Sequence, residues 1–169
     1  GLIYLVRDPR DVAISWSSHE GDSIDERIDA MINNNCIMKT SEDLKGIPMH
    51  LSSWDQNFLS WEKLEVPKLI IKYESLIEQT NKTLNEIIVF FEKNYNFSFN
   101  DKTTLLNNIL KTTSFDVLKK KEEEGGFKES LKSNFFRKGK PYQWKEKLNQ
   151  NQIMKIENAF HKTMKMLGY

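Results

Sequence analysis

A single cysteine, Cys36, stands among the 169 residues of this sequence. An intramolecular disulfide is therefore excluded, and a lone thiol suits a reducing compartment, so the expected location is cytoplasmic. Histidine is almost as scarce, with only His19, His50 and His161. With one cysteine they form no cluster of ligand spacing, and no metal is expected. An excess of either charge is also lacking. The 25 Lys+Arg against 24 Asp+Glu leave a formal net charge of +1, which gives no bulk attraction to nucleic acid or membrane, so neither is expected as a partner. No apolar run is long enough to span a bilayer, and no signal peptide is evident. With four prolines and seven glycines there is no low-complexity linker, and no internal repeat appears. What is present is enough for one ordinary domain: 38% hydrophobic residues, four Trp and ten Phe, a composition that supports a core and argues against disorder.

The apolar run Leu2–Val6 reads as a short strand of the kind buried on both faces of a parallel sheet. Asp8-Pro9 reads as a helix cap and first helical residue, with the helix running to about residue 19 and broken by Gly21. Helical spacing at Ile24, Ile28, Met31 and Ile32 predicts a second helix over 24–38. Asn33 to Cys36 and Gly46 to Pro48 mark loops. Leu51, Trp54, Phe58 and Trp61 form one apolar helix stripe. Residues 68–73, "KLIIKY", read as a second buried strand. Helices are expected over 81–93, with Leu84, Ile87, Ile88 and Phe91 on one side, over 101–111, and through the tail at 151–167, where Ile153, Ile156, Phe160, Met164 and Leu167 recur. The run "KKKEEE" at 119–124 reads as a solvated stretch with opposite charges three apart, ended by Gly125-Gly126. Two buried strands do not make a parallel sheet that stands alone. Together with a first residue that is glycine and leads straight into a strand, this predicts that the natural start lies upstream and that part of the domain is missing.

The first strand ends at Arg7, and a helix starts two residues on. In open α/β sheets ligands bind beyond the carboxyl ends of the strands. A helix start there offers unpaired N–H groups and the positive end of a dipole. Arg7 adds a planar fork suited to phosphate. Ser15, about two helical turns on, reaches the same phosphate if a ligand lies along the helix. The plainer reading pairs Arg7 with Asp8 or Asp11 and leaves Ser15 as filler. A second basic cluster is "FFRKGKPYQW" at 135–144, where Arg137, Lys138 and Lys140 flank Gly139 and aromatic residues stand on both sides.

Four segments in order, "YLVRDPRDVAIS", "IIKYESL", "TTSFDVL" and "FFRKG" followed by Trp144, resemble the sulfotransferase family that uses 3′-phosphoadenosine 5′-phosphosulfate (PAPS). The resemblance runs from Leu2 to about Lys145, with the tail helix as a looser continuation. It implies an α/β, P-loop NTPase-like sulfotransferase fold, incomplete and mostly helical, with about two parallel strands. Residues 1–169 would be the C-terminal part of a single sulfotransferase domain whose N-terminal phosphosulfate-binding part is absent. The family's pattern makes Arg7 and Ser15 contacts to the cofactor's 3′-phosphate and puts Tyr73 near the adenine. It makes Thr113, Ser114 and Phe115 the frame of the base, and gives Phe136, Arg137, Lys138 and Gly139 to the phosphate loop. The implied reaction moves a sulfuryl group from PAPS to an acceptor hydroxyl or amine on a small molecule or glycan. Tyr73 and Phe115 as plain core aromatics, and Thr113 and Ser114 as helix caps, are the structural alternatives.

No Gly-x-x-x-x-Gly-Lys-Ser/Thr pattern and no Lys-Ser/Thr-Gly-Thr turn is present. The family's base is a histidine upstream of the Arg7 strand, so no catalytic residue is expected here. His19 is the histidine nearest the cofactor helix, His50 is expected to begin a helix, and His161 to face water. After Arg-Lys-Gly the family commonly has Gly-Asp before the tryptophan, where Tyr142 and Gln143 stand here. The dimer motif of the family's animal cytosolic members is not recognisable, so no dimer is inferred. The segment 21–50 is a candidate for lining the acceptor pocket. The alternative to an enzyme is a non-catalytic nucleotide-binding or interaction module derived from the same fold. A nucleoside or sugar kinase is disfavoured because no Walker lysine or magnesium carboxylate appears.

Overall fold

The computed structural model describes residues 1–38, 48–126 and 134–169. Along the chain come β1 (Leu2–Val6), α1 (Pro9–Glu20), α2 (Ile24–Ile32), β2 (Ile37–Met38), β3 (Met49–His50), α3 (Trp54–Glu62) and β4 (Lys68–Lys72). They are followed by α4 (Tyr73–Glu78), α5 (Thr80–Tyr95), α6 (Lys102–Thr113), α7 (Phe115–Gly125), α8 (Trp144–Lys147) and α9 (Gln150–Leu167). The chain divides into two compact units, one of Gly1–Arg7 with Val66–Pro141, the other of Asp8–Glu65 with Tyr142–Tyr169.

The first unit is built on β1 and β4, which pair in parallel with Leu2 opposite Lys68 and Val6 opposite Lys72. The register is closed at its start by Leu2 N–H donating to the Pro67 carbonyl at 2.9 Å. Val6, Ile71, Ile88 and Phe90 are buried, and α5 packs on β4 and α4 while α6 joins α5 to α7. The expected strand over 68–73 is one residue too long. Tyr73 opens α4 instead, with Lys72 as its extended N-cap residue at φ −79°, ψ 134°. The parallel pair is otherwise bare in places: Ile3 and Leu5 on β1 and Ile70 on β4 are exposed.

The second unit has a helical core of Ala13, Ile14, Ile28, Met31, Leu148, Ile156, Phe160 and Met164. Each fully buried aliphatic or aromatic side chain there contributes about 1.5–3 kcal/mol. The start of α1 follows from its sequence: the Asp8 carboxylate accepts from Arg10 N–H, Pro9 takes the first helical position, and Gly21 ends the helix in the left-handed region at φ 76°. The expected stripe of α9 is observed, with Ile156, Phe160 and Met164 buried and Trp54 of α3 lying 5.2 Å from the Phe160 ring.

Three further expectations are corrected. The helix expected over 24–38 stops at Ile32, because Asn33 accepts Asn35 N–H on its side chain at 2.9 Å and Cys36 N–H on its carbonyl at 3.0 Å, a local turn that competes with the helix. Residues 37–38 instead pair antiparallel with Met49–His50, so His50 lies in β3 and does not begin a helix. The run at 119–124 is the second half of α7 and not merely a solvated stretch, since Glu122 is only 7% exposed. Its opposite charges meet at i,i+4 (Lys119 with Glu123, Lys120 with Glu124). Of the loop expected at 46–48, residues 46 and 47 lie outside the described residues, as does 39–47 of the segment considered for an acceptor pocket.

Candidate functional site

The parallel register decides which side chains emerge together at the carboxyl end of the two strands. Val6 opposite Lys72 makes Arg7 and Tyr73 the next residues of each. The Arg7 guanidinium carbon sits 4.4 Å from the centre of the Tyr73 ring, a cation–π contact of about 0.5–1 kcal/mol. Arg7 Nη2 also donates to the Lys140 carbonyl at 3.3 Å. Residues 66 positions and 133 positions away along the chain thus meet one side chain at the strand end.

Lys140 follows the Arg137-Lys138-Gly139 turn. Gly139 has φ +59°, and a Cβ there would lie 2.4 Å from Phe115 Cδ2. No larger residue fits without moving the ring. The space left by the missing Cβ is taken up by the Phe115 side chain. Phe115 and Phe136 meet edge to face with centroids 6.2 Å apart, and Phe136 contacts Phe135 in the same way at 5.2 Å. Arg137 and Lys138 are exposed, and Gly139 is half-buried. Arg7, Tyr73, Phe115, Phe136, Gly139 and Lys140 therefore form one group within the first unit, with the side chains of Arg137 and Lys138 on the same turn.

Thr113 and Ser114 lie at the α6–α7 junction and are exposed. The Thr113 hydroxyl donates to the Ile109 carbonyl at 2.7 Å, and the Ser114 hydroxyl accepts from Val117 N–H at 3.4 Å as the N-cap of α7. Both hydroxyls have helix-terminal roles while bordering Phe115 in sequence. Ser15 belongs to the second unit, where it is half-buried on α1. The three histidines are also in that unit: His19 in the last turn of α1, His50 in β3, and His161 exposed on α9. None is part of the arginine-centred group.

Two features were missed in the sequence. The Glu122 carboxylate accepts from Phe135 N–H at 2.6 Å on Oε1 and from Phe136 N–H at 2.9 Å on Oε2. The legible signal is spacing, since Phe115, Leu118 and Glu122 fall at i, i+3 and i+7 on one face of a helix. In the second unit, Arg10 pairs with Asp8 at 2.7 Å and Glu157 at 2.6 Å, and lies 3.9 Å from the Trp144 ring. The Asp11 carboxylate, 1% exposed, accepts from Trp144 N–H at 2.9 Å. "RDPRD" is therefore not only a candidate ligand turn but also the anchor for the tryptophan that follows the basic loop. Among the described residues there is no group of three or more His, Cys, Asp or Glu arranged to hold a metal ion, and no helix is long and apolar enough to cross a membrane.

Arg7 beside Tyr73, and a turn carrying Arg137 and Lys138 whose glycine packs on Phe115, are residue types that suit a phosphorylated aromatic base: cations for the phosphate and rings for the base. Comparison with known proteins identifies the family and the fold. A family model described as sulfotransferase domain matches residues 2–168. Sulfotransferase 1B1 of the dog, Canis lupus familiaris, is 26% identical over 179 residues, which cover 96% of this chain and 54% of the dog protein. The chain thus spans about half the length of that relative. Among solved structures, mouse sulfotransferase SULT7A1 complexed with PAP matches with a TM-score of 0.68 at 23% identity, covering 96% of this chain and 57% of the mouse one. Retinol dehydratase in complex with androsterone and inactive cofactor PAP matches with a TM-score of 0.65 at 18% identity, covering 96% and 47%. These likenesses establish the fold, mostly helical with a pair of parallel strands among the described residues, and the chain spans only part of each solved relative.

Proposed function

Because the chain belongs to the sulfotransferase domain family, we propose that it carries the adenosine 3′-phosphate side of a PAPS site in an enzyme that sulfates an acceptor hydroxyl or amine. The observation that supports this most is the meeting of Arg7, Tyr73, Phe115 and the Gly139-Lys140 backbone in one unit. Arg7, Arg137 and Lys138 would neutralise the nearly two charges of a 3′-phosphate. Tyr73 and Phe115 would hold the adenine, with Thr113 and Ser114 at its edge and Phe136 backing Phe115. Stacking of a base on an aromatic side chain is worth about 1–3 kcal/mol in single-strand binders. Ser15 stays in the proposal on the resemblance alone.

Bound there, PAPS would supply the sulfuryl group, its bond to the 5′-phosphate oxygen being exchanged for one to the acceptor oxygen or nitrogen. The residues named here bind and orient, and none is given the acceptor's proton. Strands continuing the sheet beside β1, together with the phosphosulfate-binding turn, would come from a further part of the same domain. The exposed Ile3 and Leu5 on one face of the pair, and Ile70 on the other, are what the remainder of such a domain would cover. The acceptor is a small molecule or a glycan.

The test is calorimetric titration of the intact protein with adenosine 3′,5′-bisphosphate (PAP) and with adenosine 5′-monophosphate. The bisphosphate is expected to bind more tightly. Arg7→Ala is expected to weaken it by about 1.5–3 kcal/mol, roughly ten- to a hundred-fold, the range of a hydrogen bond to a charged group. Ser15→Ala is expected to weaken the bisphosphate more than the monophosphate. Equal affinity for the two nucleotides in the wild-type protein would refute the reading.

A further inference from the structure

Glu122 is an acidic residue, 7% exposed, within a region otherwise suited to anions. It would be an odd choice for filling space. A buried carboxylate costs several kcal/mol unless its oxygens are well satisfied. Here each oxygen takes one of two successive backbone N–H groups, from Phe135 at 2.6 Å and Phe136 at 2.9 Å. These are the two residues immediately before Arg137 and Lys138. The Phe135 carbonyl then accepts from Arg137 N–H at 3.0 Å, which tightens the turn as it enters the basic triplet. At the far end of the same turn Gly139 is closed down on Phe115 and the Lys140 carbonyl is held by Arg7.

Among the described residues the turn is thus held at these three points, and the first is made by a residue with no place in the nucleotide group. Glu122 and Phe115 stand two helical turns apart on α7, so one rigid helix sets both the start of the turn and the ring against which its glycine packs. A carboxylate is the one side chain of this length that offers two equivalent acceptors. A carboxamide presents one acceptor and one donor, and its NH2 would face an N–H.

We propose that Glu122 is a positioning residue that presets the Arg137-Lys138-Gly139 turn, so that recognition of a 3′-phosphate depends on a carboxylate that does not touch the nucleotide. This rests on the reading of the turn as a 3′-phosphate site. Its distinctive consequence is in selectivity. Loss of Glu122 loosens the phosphate-binding turn while Tyr73 and Phe115 remain for the base. The preference for adenosine 3′,5′-bisphosphate over adenosine 5′-monophosphate should collapse, with the monophosphate affinity little changed. A merely structural role would weaken both nucleotides in proportion.

The experiment measures both affinities for wild-type intact protein, Glu122→Gln, Arg137→Ala and the double variant. Glu122→Gln is expected to lower the affinity ratio at least tenfold. The double variant is expected to lose little more than Arg137→Ala alone, because the two act through one contact. A wild-type preference that survives Glu122→Gln, or losses that simply add, overturns the role of Glu122 and leaves the phosphate reading standing. No preference in the wild-type protein overturns both. Should Glu122→Gln fail to fold, amide hydrogen exchange in the wild-type protein decides. Phe135 and Phe136 amides protected well beyond exposed loop amides support the anchor, and free exchange at both overturns it.

Discussion

Tyr142 sits with φ at +62°, a conformation that costs a residue with a Cβ about 1–2 kcal/mol. It occupies the place where the resembling family commonly has glycine. Glycine takes this left-handed conformation without strain, and tyrosine does not. The tyrosine ring lies 5.2 Å from the Lys145 ammonium, and the residue is 40% exposed. Glycine would relieve the strain at a cost of roughly 0.5–1 kcal/mol in unfolded-chain entropy. Tyr142→Gly is therefore expected to stabilise the protein by about 0.5–1 kcal/mol, read from the urea midpoint at constant m-value. A lower midpoint would mean that the contacts of the ring outweigh the strain. Gly139 is the opposite case. Its φ of +59° and the Phe115 ring 2.4 Å from a would-be Cβ both forbid a larger residue.

At the scale of elements, helix ends do most of the specifying. Ser23 and Glu26 cap α2 reciprocally: the serine hydroxyl accepts from Glu26 N–H, and the carboxylate accepts from Ser23 N–H at 2.9 Å and from its hydroxyl at 2.7 Å. The hydrogen bond from the Ser23 hydroxyl, then that from its backbone N–H, holds the Glu26 carboxyl below the usual glutamate range. The folded value is depressed relative to the unfolded one. The stabilisation is therefore complete above the ordinary glutamate value and is lost as pH falls through the depressed one. An NMR titration is expected to find the Glu26 midpoint below the usual glutamate range, and Ser23→Ala, which removes the hydroxyl and keeps the backbone N–H, to raise it part of the way back. An unchanged midpoint in Ser23→Ala would assign the depression to another source. Asn149 and Gln152 make the same reciprocal cap at the start of α9, which is why that helix begins where its apolar stripe does. Nothing comparable caps the end of α2, and the competing Asn33 turn ends it six residues short of the spacing-based expectation.

For the whole molecule the telling feature is the sheet. Parallel strands are ordinarily covered on both faces, yet Leu5 is 53% exposed while Ile71, its register partner on β4, is 5% exposed. On that face the cover extends over β4 and stops before β1. If further strands of the same domain complete the sheet, Leu5 becomes core. Leu5→Ala is then expected to cost about 2–5 kcal/mol in the intact protein and under about 0.5 kcal/mol in the 169-residue chain, compared by denaturant unfolding. Equal small effects in both would leave that face open in the complete protein and remove the case for added strands.

Much of this organisation was readable along the chain because its causes act within a turn or two. The Asp8-Pro9 start, the Gly21 and Gly126 stops, the Ser114 cap and the stripe of α9 each depend on neighbours a few residues apart, where side-chain and backbone hydrogen bonds compete locally. The four short motifs were legible for the same reason: each is a contiguous piece of one element and the turn beside it. Three things needed the folded chain. The parallel register puts Arg7 beside Tyr73, the packing of a ring takes up the space left by Gly139, and the burial of Glu122 turns one member of an apparently solvated charge run into an anchor. Each joins segments far apart in sequence, and long-range pairings depend on which surfaces shed water together, a quantity that no window of residues contains.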